Sequence, residues 1–204
     1  MEQLLVTSRH KELTKLLSGD NNGTCSINPE EVKHLAWLGA NIPMGGDVVE
    51  IGSHRGKSIC CMGTGCIEAG NYNARLFAID LWTSTTKTFQ HYHSQETWEI
   101  FNKQVAQMGL TDMVRPIMKS SLLASMKRKK PIHLLFIDAN HAYEHVREDY
   151  LVWHKFIPEG GRIAFHDYKT RFKGVTRVID EIVIPSNYWQ DFRHYGRIWS
   201  ATRK

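Results

Sequence analysis

Residues Val48-Val49-Glu50-Ile51-Gly52-Ser53-His54-Arg55-Gly56-Lys57-Ser58 read as a buried strand, a glycine turn and the first turn of a helix. No other segment restricts the fold as sharply. Glycine has no side chain, so such a turn lets backbone N–H groups approach a ligand closely. A second apolar strand, Leu76-Phe77-Ala78-Ile79, ends in Asp80. A carboxylate at the tip of a neighbouring strand is suited to accept both hydroxyls of a ribose. Together these features predict a nucleoside-containing cofactor.

Rival readings of the turn fit less well. It is one residue short of the glycine spacing that wraps a β-phosphate, and the GxGxxG spacing of dinucleotide enzymes is absent. A purely structural strand-to-helix turn is the plain alternative.

Apolar strands and helical segments alternate along the chain. The pattern predicts a first helix over 2–18 and a second opened by Asn28-Pro29-Glu30-Glu31 and running to about Gly39, with Asn28 as N-cap and Pro29 at the first helical position. Strands follow at 47–52, 75–81, 113–118, 132–138 and 161–167. Helices are expected at 57–69, 94–108, 121–129, 142–156 and 174–183. This order predicts an α/β fold, a Rossmann-like doubly wound sheet of seven strands, mostly parallel. Its last two strands form an antiparallel hairpin around Gly196. A single domain over 1–204 is expected, with 1–45 as N-terminal helices covering the site and 46–204 as the core. Gly63-Thr64-Gly65 inside the 57–69 helix has no explanation at this level.

Ligands of open α/β sheets bind beyond the carboxyl ends of the strands. Those ends carry Glu50, Asp80, Ser120, Asp138 and Asp167. Elsewhere the sequence is less specific. Cys25, Cys60, Cys61 and Cys66 lack zinc-ligand spacing and read as free thiols in a reducing cytoplasm. No apolar run reaches the roughly 20 residues that span a bilayer. The net charge of +5 and the run Lys127-Arg128-Lys129-Lys130 permit nucleic-acid binding, but a solvated helix end is the simpler reading. His91 and His93 lie in a polar stretch, 83–95, long enough for a lid. Arg171 and Lys173 are placed to meet an acidic substrate, or are ordinary surface charges. The tail hairpin and first helix offer surfaces through which two copies could pair.

Val49-Glu50-Ile51-Gly52-Ser53 with Gly56 and Ser58, Phe77-Ala78-Ile79-Asp80, Phe136-Ile137-Asp138-Ala139-Asn140-His141-Ala142-Tyr143, Pro158-Glu159-Gly160-Gly161 and Phe165-His166-Asp167-Tyr168 follow one another through residues 28 to 170. This series resembles class I S-adenosylmethionine-dependent methyltransferases, and in particular a small bacterial family that includes sugar O-methyltransferases. The resemblance implies methyl transfer from S-adenosylmethionine to a hydroxyl of a small polar acceptor. It implies cofactor contacts from Glu50, Gly52, Ser53, Gly56, Ser58, Asp80, Asp138, Ser120 and Ser121, with Trp82 over the adenine face. It also implies a divalent cation, Mg2+ or Mn2+, on Asp138 and Asp167. His166 stands where the sugar enzymes often carry a second acid, and is taken as a third ligand. Methyl transfer to oxygen requires removal of the hydroxyl proton. His141, with an expected pKa near neutrality, is the candidate base, beside Asp138. An RNA methyltransferase and a non-catalytic nucleotide-binding protein of the same fold are the alternatives.

Overall fold

The computed structural model describes residues 27–82 and 94–204. The helix expected over 2–18, Cys25, His91, His93 and most of the 83–95 stretch lie outside the described residues.

Helix α1 (Pro29–Ala40) is followed by β1 (Asp47–Ile51), α2 (Lys57–Glu68), β2 (Arg75–Asp80), α3 (Gln95–Gln107) and β3 (Val114–Met118). Then come α4 (Ser121–Ser125), β4 (Leu134–Ile137), α5 (Tyr143–Trp153), β5 (Arg162–Phe165), α6 (Lys173–Val178), β6 (Trp189–Tyr195) and β7 (Ile198–Arg203). The strands form one sheet in the order β3-β2-β1-β4-β5-β7-β6. All pairings from β3 to β5 are parallel, and β7 lies antiparallel between β5 and β6. The seven-stranded, mostly parallel sheet with a terminal hairpin is thus as expected. The chain leaves β1 toward β2 on one side and joins β4 on the other, so the tips of β1 and β4 flank a topological switch point.

Some helices are shorter than the pattern suggested. α4 ends at Ser125 instead of 129, because Arg128 turns back to donate to Asp47 and to the Pro131 carbonyl. Pro131 also disfavours helical backbone at the residue before it. The last expected helix begins as α6, widens into a π turn over Ile179–Val183 and tightens into a 3-10 turn over Ile184–Ser186.

Each face of the sheet carries a packed layer. On one, Leu35, Leu38, Ile59, Leu76, Phe101 and Leu134 form a continuous core. On the other, Tyr150, Trp153, Ile163, Phe165 and Val178 do so. The glycines of α2 answer to the first layer. A Cβ on Gly65 would lie 1.9 Å from the Ala36 carbonyl oxygen, and one on Gly39 would lie 2.0 Å from that of Met62. The backbones of α1 and α2 therefore touch, and Cys66 Sγ donates to the Gly39 carbonyl at 3.3 Å. Gly63 makes room for Leu110, whose methyls would lie 2.7 and 2.8 Å from an added Cβ.

The opposite end of the sheet from the strand tips carries an ion cluster around the buried Asp47. Asp47 opens β1 and accepts from Arg75 Nε at 2.7 Å and Arg128 Nη2 at 2.5 Å. The basic run therefore lies at the amino ends of the strands, and its arginine is a structural partner of β1.

Asp149 of α5 is buried with the Ser121 hydroxyl as partner. Burial, reinforced by the neighbouring Glu148 charge and opposed by that hydroxyl, pushes its carboxyl up to about 6. Unfolded aspartate titrates near 3.8. Between those values the folded state holds a proton that the unfolded chain has released, so stability falls as pH rises through the window. Asp149→Asn is expected to flatten that slope and to raise stability at neutral pH by on the order of 2 kcal/mol. Urea midpoints at acid and neutral pH check it. An unchanged slope in the variant would reject this account of Asp149.

Candidate functional site

The glycine turn after β1 is held from two directions. Gly52 has φ +90° and donates its N–H to the Ile79 carbonyl at 2.9 Å. A Cβ there would lie 2.2 Å from the Asp138 carbonyl oxygen, so only glycine lets the tips of β1 and β4 approach this closely. Asp80 pins the rest of the turn. Its Oδ2 accepts from His54 N at 2.7 Å and its Oδ1 from Leu81 N at 2.6 Å.

Glu50 lies fully buried beneath the turn. The Ser58 hydroxyl donates to its Oε1, while its Oε2 has no hydrogen-bond partner among the described residues. Burial pushes its carboxyl up to about 8, helped by the charges of Asp138 and Asp80 and opposed by the hydroxyls of Ser53 and Ser58. A buried acceptor without a donor is costly, and a cationic or N–H-bearing ligand group would satisfy it. Ser53 and Ser58 are buried on the same turn. Gly56, also at positive φ, gives room to the Phe101 ring, 2.8 Å from where its Cβ would be.

Trp82 packs beside the turn. It is fully buried, its ring packed against Trp98 and Phe101 at centroid distances of 5.0 and 4.7 Å, and its indole N–H donates to the His54 carbonyl at 2.6 Å. It braces the turn from inside the core. Ser120 caps α4, and Ser121 accepts from the Trp153 indole at 2.8 Å, tying α4 to α5.

A charged cluster forms where β4 and β5 end. Asp138, His141 and Asp167 bring one donor atom each within 4.8 Å of one another. His141 Nε2 is 2.9 Å from Asp167 Oδ2 and 3.8 Å from Asp138 Oδ1. The α5 cap does not occupy His141, because the Asn140 side chain accepts from Ala142 N. Instead the His141 ring stacks on Phe172 at 4.0 Å. Gly174 permits this approach, since a Cβ there would lie 2.3 Å from the His141 carbonyl oxygen.

His166, expected as a third ligand, lies beside the convergent set. Its Nδ1 is 3.3 Å from Asp138 and 3.5 Å from Asp167, while Nε2 faces Glu31 at 3.7 Å. Burial opposes its charge, but the Asp138 charge and contacts with Asp138, Asp167 and Glu31 raise it to about 12. Despite burial, His166 and His141 hold both aspartates below the usual carboxylate range.

The same carboxylates act on the His141 pKa. Burial lowers it, but Asp138 and Asp167 outweigh burial and lift it to about 9. The physical reason is the second carboxylate: a histidine between two acids is a better base and a weaker acid.

Sequence reasoning missed Glu31, Arg197 and Phe172. Glu31 reads as an ordinary capping-box residue, which it is: Asn28 N donates to it at 2.9 Å and Asn28 Oδ1 accepts from its N–H. Nothing local signals that it also meets Arg197, 166 positions away.

Residues 49–168 match a family described as a methyltransferase domain. Among solved structures, an O-methyltransferase from Bacillus cereus in complex with SAH aligns with a TM-score of 0.69 at 16% identity, covering 97% of this chain and 91% of that one. TomG, an O-methyltransferase from Streptomyces achromogenes involved in tomaymycin synthesis, in complex with SAM, gives 0.66 at 14% identity over 97% and 90%. The O-methyltransferase NovP gives 0.68 at 15% identity over 87% and 81%. The sequence match spans more than half of the chain, and the strand order and turn geometry agree with it. The chain belongs to the methyltransferase-domain family.

Proposed function

We propose that the chain transfers a methyl group from S-adenosylmethionine to a hydroxyl of a small polar acceptor, a sugar or related metabolite. The convergence of Asp138, His141 and Asp167 beside the β1 turn carries this reading. S-adenosylmethionine supplies an activated methyl on a sulfonium centre. Glu50, with its unsatisfied Oε2, and Asp80, at the tip of β2, would hold its polar ends. Ser53 and Ser58 would support Glu50. Ser120 and Ser121 begin the helix after β3 and would border the adenine end.

The acceptor hydroxyl must lose a proton as its oxygen attacks. His141, beside Asp167 and the Phe172 ring, would accept it, and Asp138 would stabilise the imidazolium that results. The two carboxylates and the imidazole also suit a divalent cation, with manganese or zinc fitting a nitrogen ligand better than magnesium. A cation there would polarise the acceptor oxygen. His141 cannot ligate through Nε2 and accept a proton there at the same time, so metal dependence separates the two uses.

The basic run gives the RNA alternative little support. It lies at the far end of the strands from this cluster, and Arg128 is engaged by Asp47. None of the described helices is long and apolar enough to cross a membrane. Reaction in the cytoplasm and pairing of two copies remain part of the proposal.

The test is calorimetric titration of S-adenosylmethionine into chelator-treated protein, repeated with Mg2+ and with Mn2+, on wild type and Asp80→Ala. Micromolar binding is expected, weakened roughly thirtyfold in the variant through loss of charge-assisted hydrogen bonds. No binding under any condition would overturn the cofactor assignment. Binding without turnover on a panel of hydroxyl acceptors would overturn the O-methyl transfer reading.

A further inference from the structure

Glu31 makes more contacts than a capping box requires. Its side chain is fully buried. Oε1 accepts from Arg197 N at 2.8 Å and from Arg197 Nε at 2.9 Å, and Oε2 accepts from Arg197 Nη2 at 3.0 Å. The same Oε2 lies 3.7 Å from His166 Nε2. Arg197 reaches onward, its Nη1 3.6 Å from Asp167 Oδ1. His166 Nδ1 in turn faces Asp138. One buried carboxylate thus joins the start of α1, the β6–β7 turn and the tip of β5.

The backbone is shaped for this meeting. Gly196 has φ +58°, and a Cβ there would lie 2.7 Å from Asn28 Nδ2 and 2.8 Å from Glu31 Cγ. Glycine lets the turn close onto the α1 cap and deliver Arg197 to Glu31. Asp167 itself has φ +58°, a conformation that is costly for a residue other than glycine unless its surroundings hold it. Thr170 Oγ1 donates to its carbonyl at 2.8 Å, and Arg197 and His141 engage its two carboxylate oxygens. Apolar contacts could join the same three elements without desolvating the Glu31 carboxylate. The charged solution appears where it abuts the candidate site.

We propose that Glu31 and Arg197 are positioning residues, a clamp anchored on the buried Glu31 carboxylate that sets Asp167 and His166 in the orientation at which the Asp138–His141–Asp167 cluster meets the methyl acceptor. This rests on the O-methyl transfer reading above. A displacement of about 1 Å at reacting groups can cost on the order of a hundredfold in rate.

The test uses the full chain with Arg197→Gln, Arg197→Lys and Glu31→Gln; the last retains an amide oxygen for the Asn28 N–H and so spares the helix cap. In the two glutamine variants kcat is expected to fall at least roughly tenfold, with S-adenosylmethionine affinity and KM within about twofold of wild type. Arg197→Lys, which keeps the charge without the fork, should recover part of the loss. Unchanged kcat in folded Arg197→Gln would overturn the clamp. So would kcat and cofactor affinity falling together in proportion to lost folded protein. A second readout does not need turnover. At fixed pH, the imidazole nitrogen resonances of His141 and His166 should move in Arg197→Gln, while those of the remote His133 and His154 stay in place. If wild type binds cofactor but methylates no hydroxyl, the function proposal fails and the resonances still decide the clamp. Unmoved His141 and His166 signals would reject it.

Discussion

His141→Gln is expected to lower methyl transfer by roughly two to four orders of magnitude, the range typical of removing a positioned proton acceptor. Affinity for S-adenosylmethionine should stay near wild type, because Glu50, Asp80 and the Gly52 turn are untouched. Glutamine fills much of the same volume against Phe172 and can still meet Asp167, so loss of folding is not the expected route. The pH profile gives the sharper test. Asp138 and Asp167 hold the His141 ring protonated up to about 9. A base works only when deprotonated, so without added metal the wild-type rate should climb with pH and level off above that value. In His141→Gln that rising limb should vanish. A divalent cation neutralising the two carboxylates should move the limb to lower pH in wild type. Variant rates equal to wild type on the alkaline plateau, above about pH 9, would remove His141 from the chemistry.

The largest expected loss of stability is at Gly65. Alanine normally helps a helix interior by about 1 kcal/mol over glycine. Here the added methyl would lie 1.9 Å from the Ala36 carbonyl oxygen, a backbone atom that cannot swing aside. The clash therefore decides the sign. Gly65→Ala should destabilise by about 3 kcal/mol, at the upper end of usual overpacking costs. For a chain of this length that lowers Tm by roughly 10 °C. Gly39→Ala, which would strike the Met62 carbonyl from the other helix, should behave alike, and the two losses should not add. Gly70→Ala is the control: its φ is +73° but its side-chain direction is open, so only the modest cost of that conformation is expected. Urea midpoints compare the three. A Gly65→Ala variant as stable as wild type would mean that α1 and α2 do not touch as described.

These two predictions draw on different depths of the sequence. The β1 turn, Asp80 and the alternating elements were readable because each is a local pattern with a local cause. Asp138 and Asp167 were readable as strand-end carboxylates. What could not be read depends on partners that arrive from elsewhere. Trp82 looks like a rim aromatic until α3 supplies Trp98 and Phe101 to bury it. The α2 glycines make sense only once α1 lies across them. His141 has an ordinary histidine environment in sequence and an acidic one in space, because Asp167 comes from the next strand. Glu31 and Arg197 are the extreme case, each unremarkable within its own segment.

The place of β7 in the sheet also bears on how the protein emerges from the ribosome. Until residues 189–203 have been made, the flank of β5 that β7 will cover is an unpaired edge bearing Ile163, Ala164 and Phe165. An edge of unpaired backbone N–H and C=O groups can template pairing with another chain. The hairpin that completes the sheet thus also shields the β5 edge.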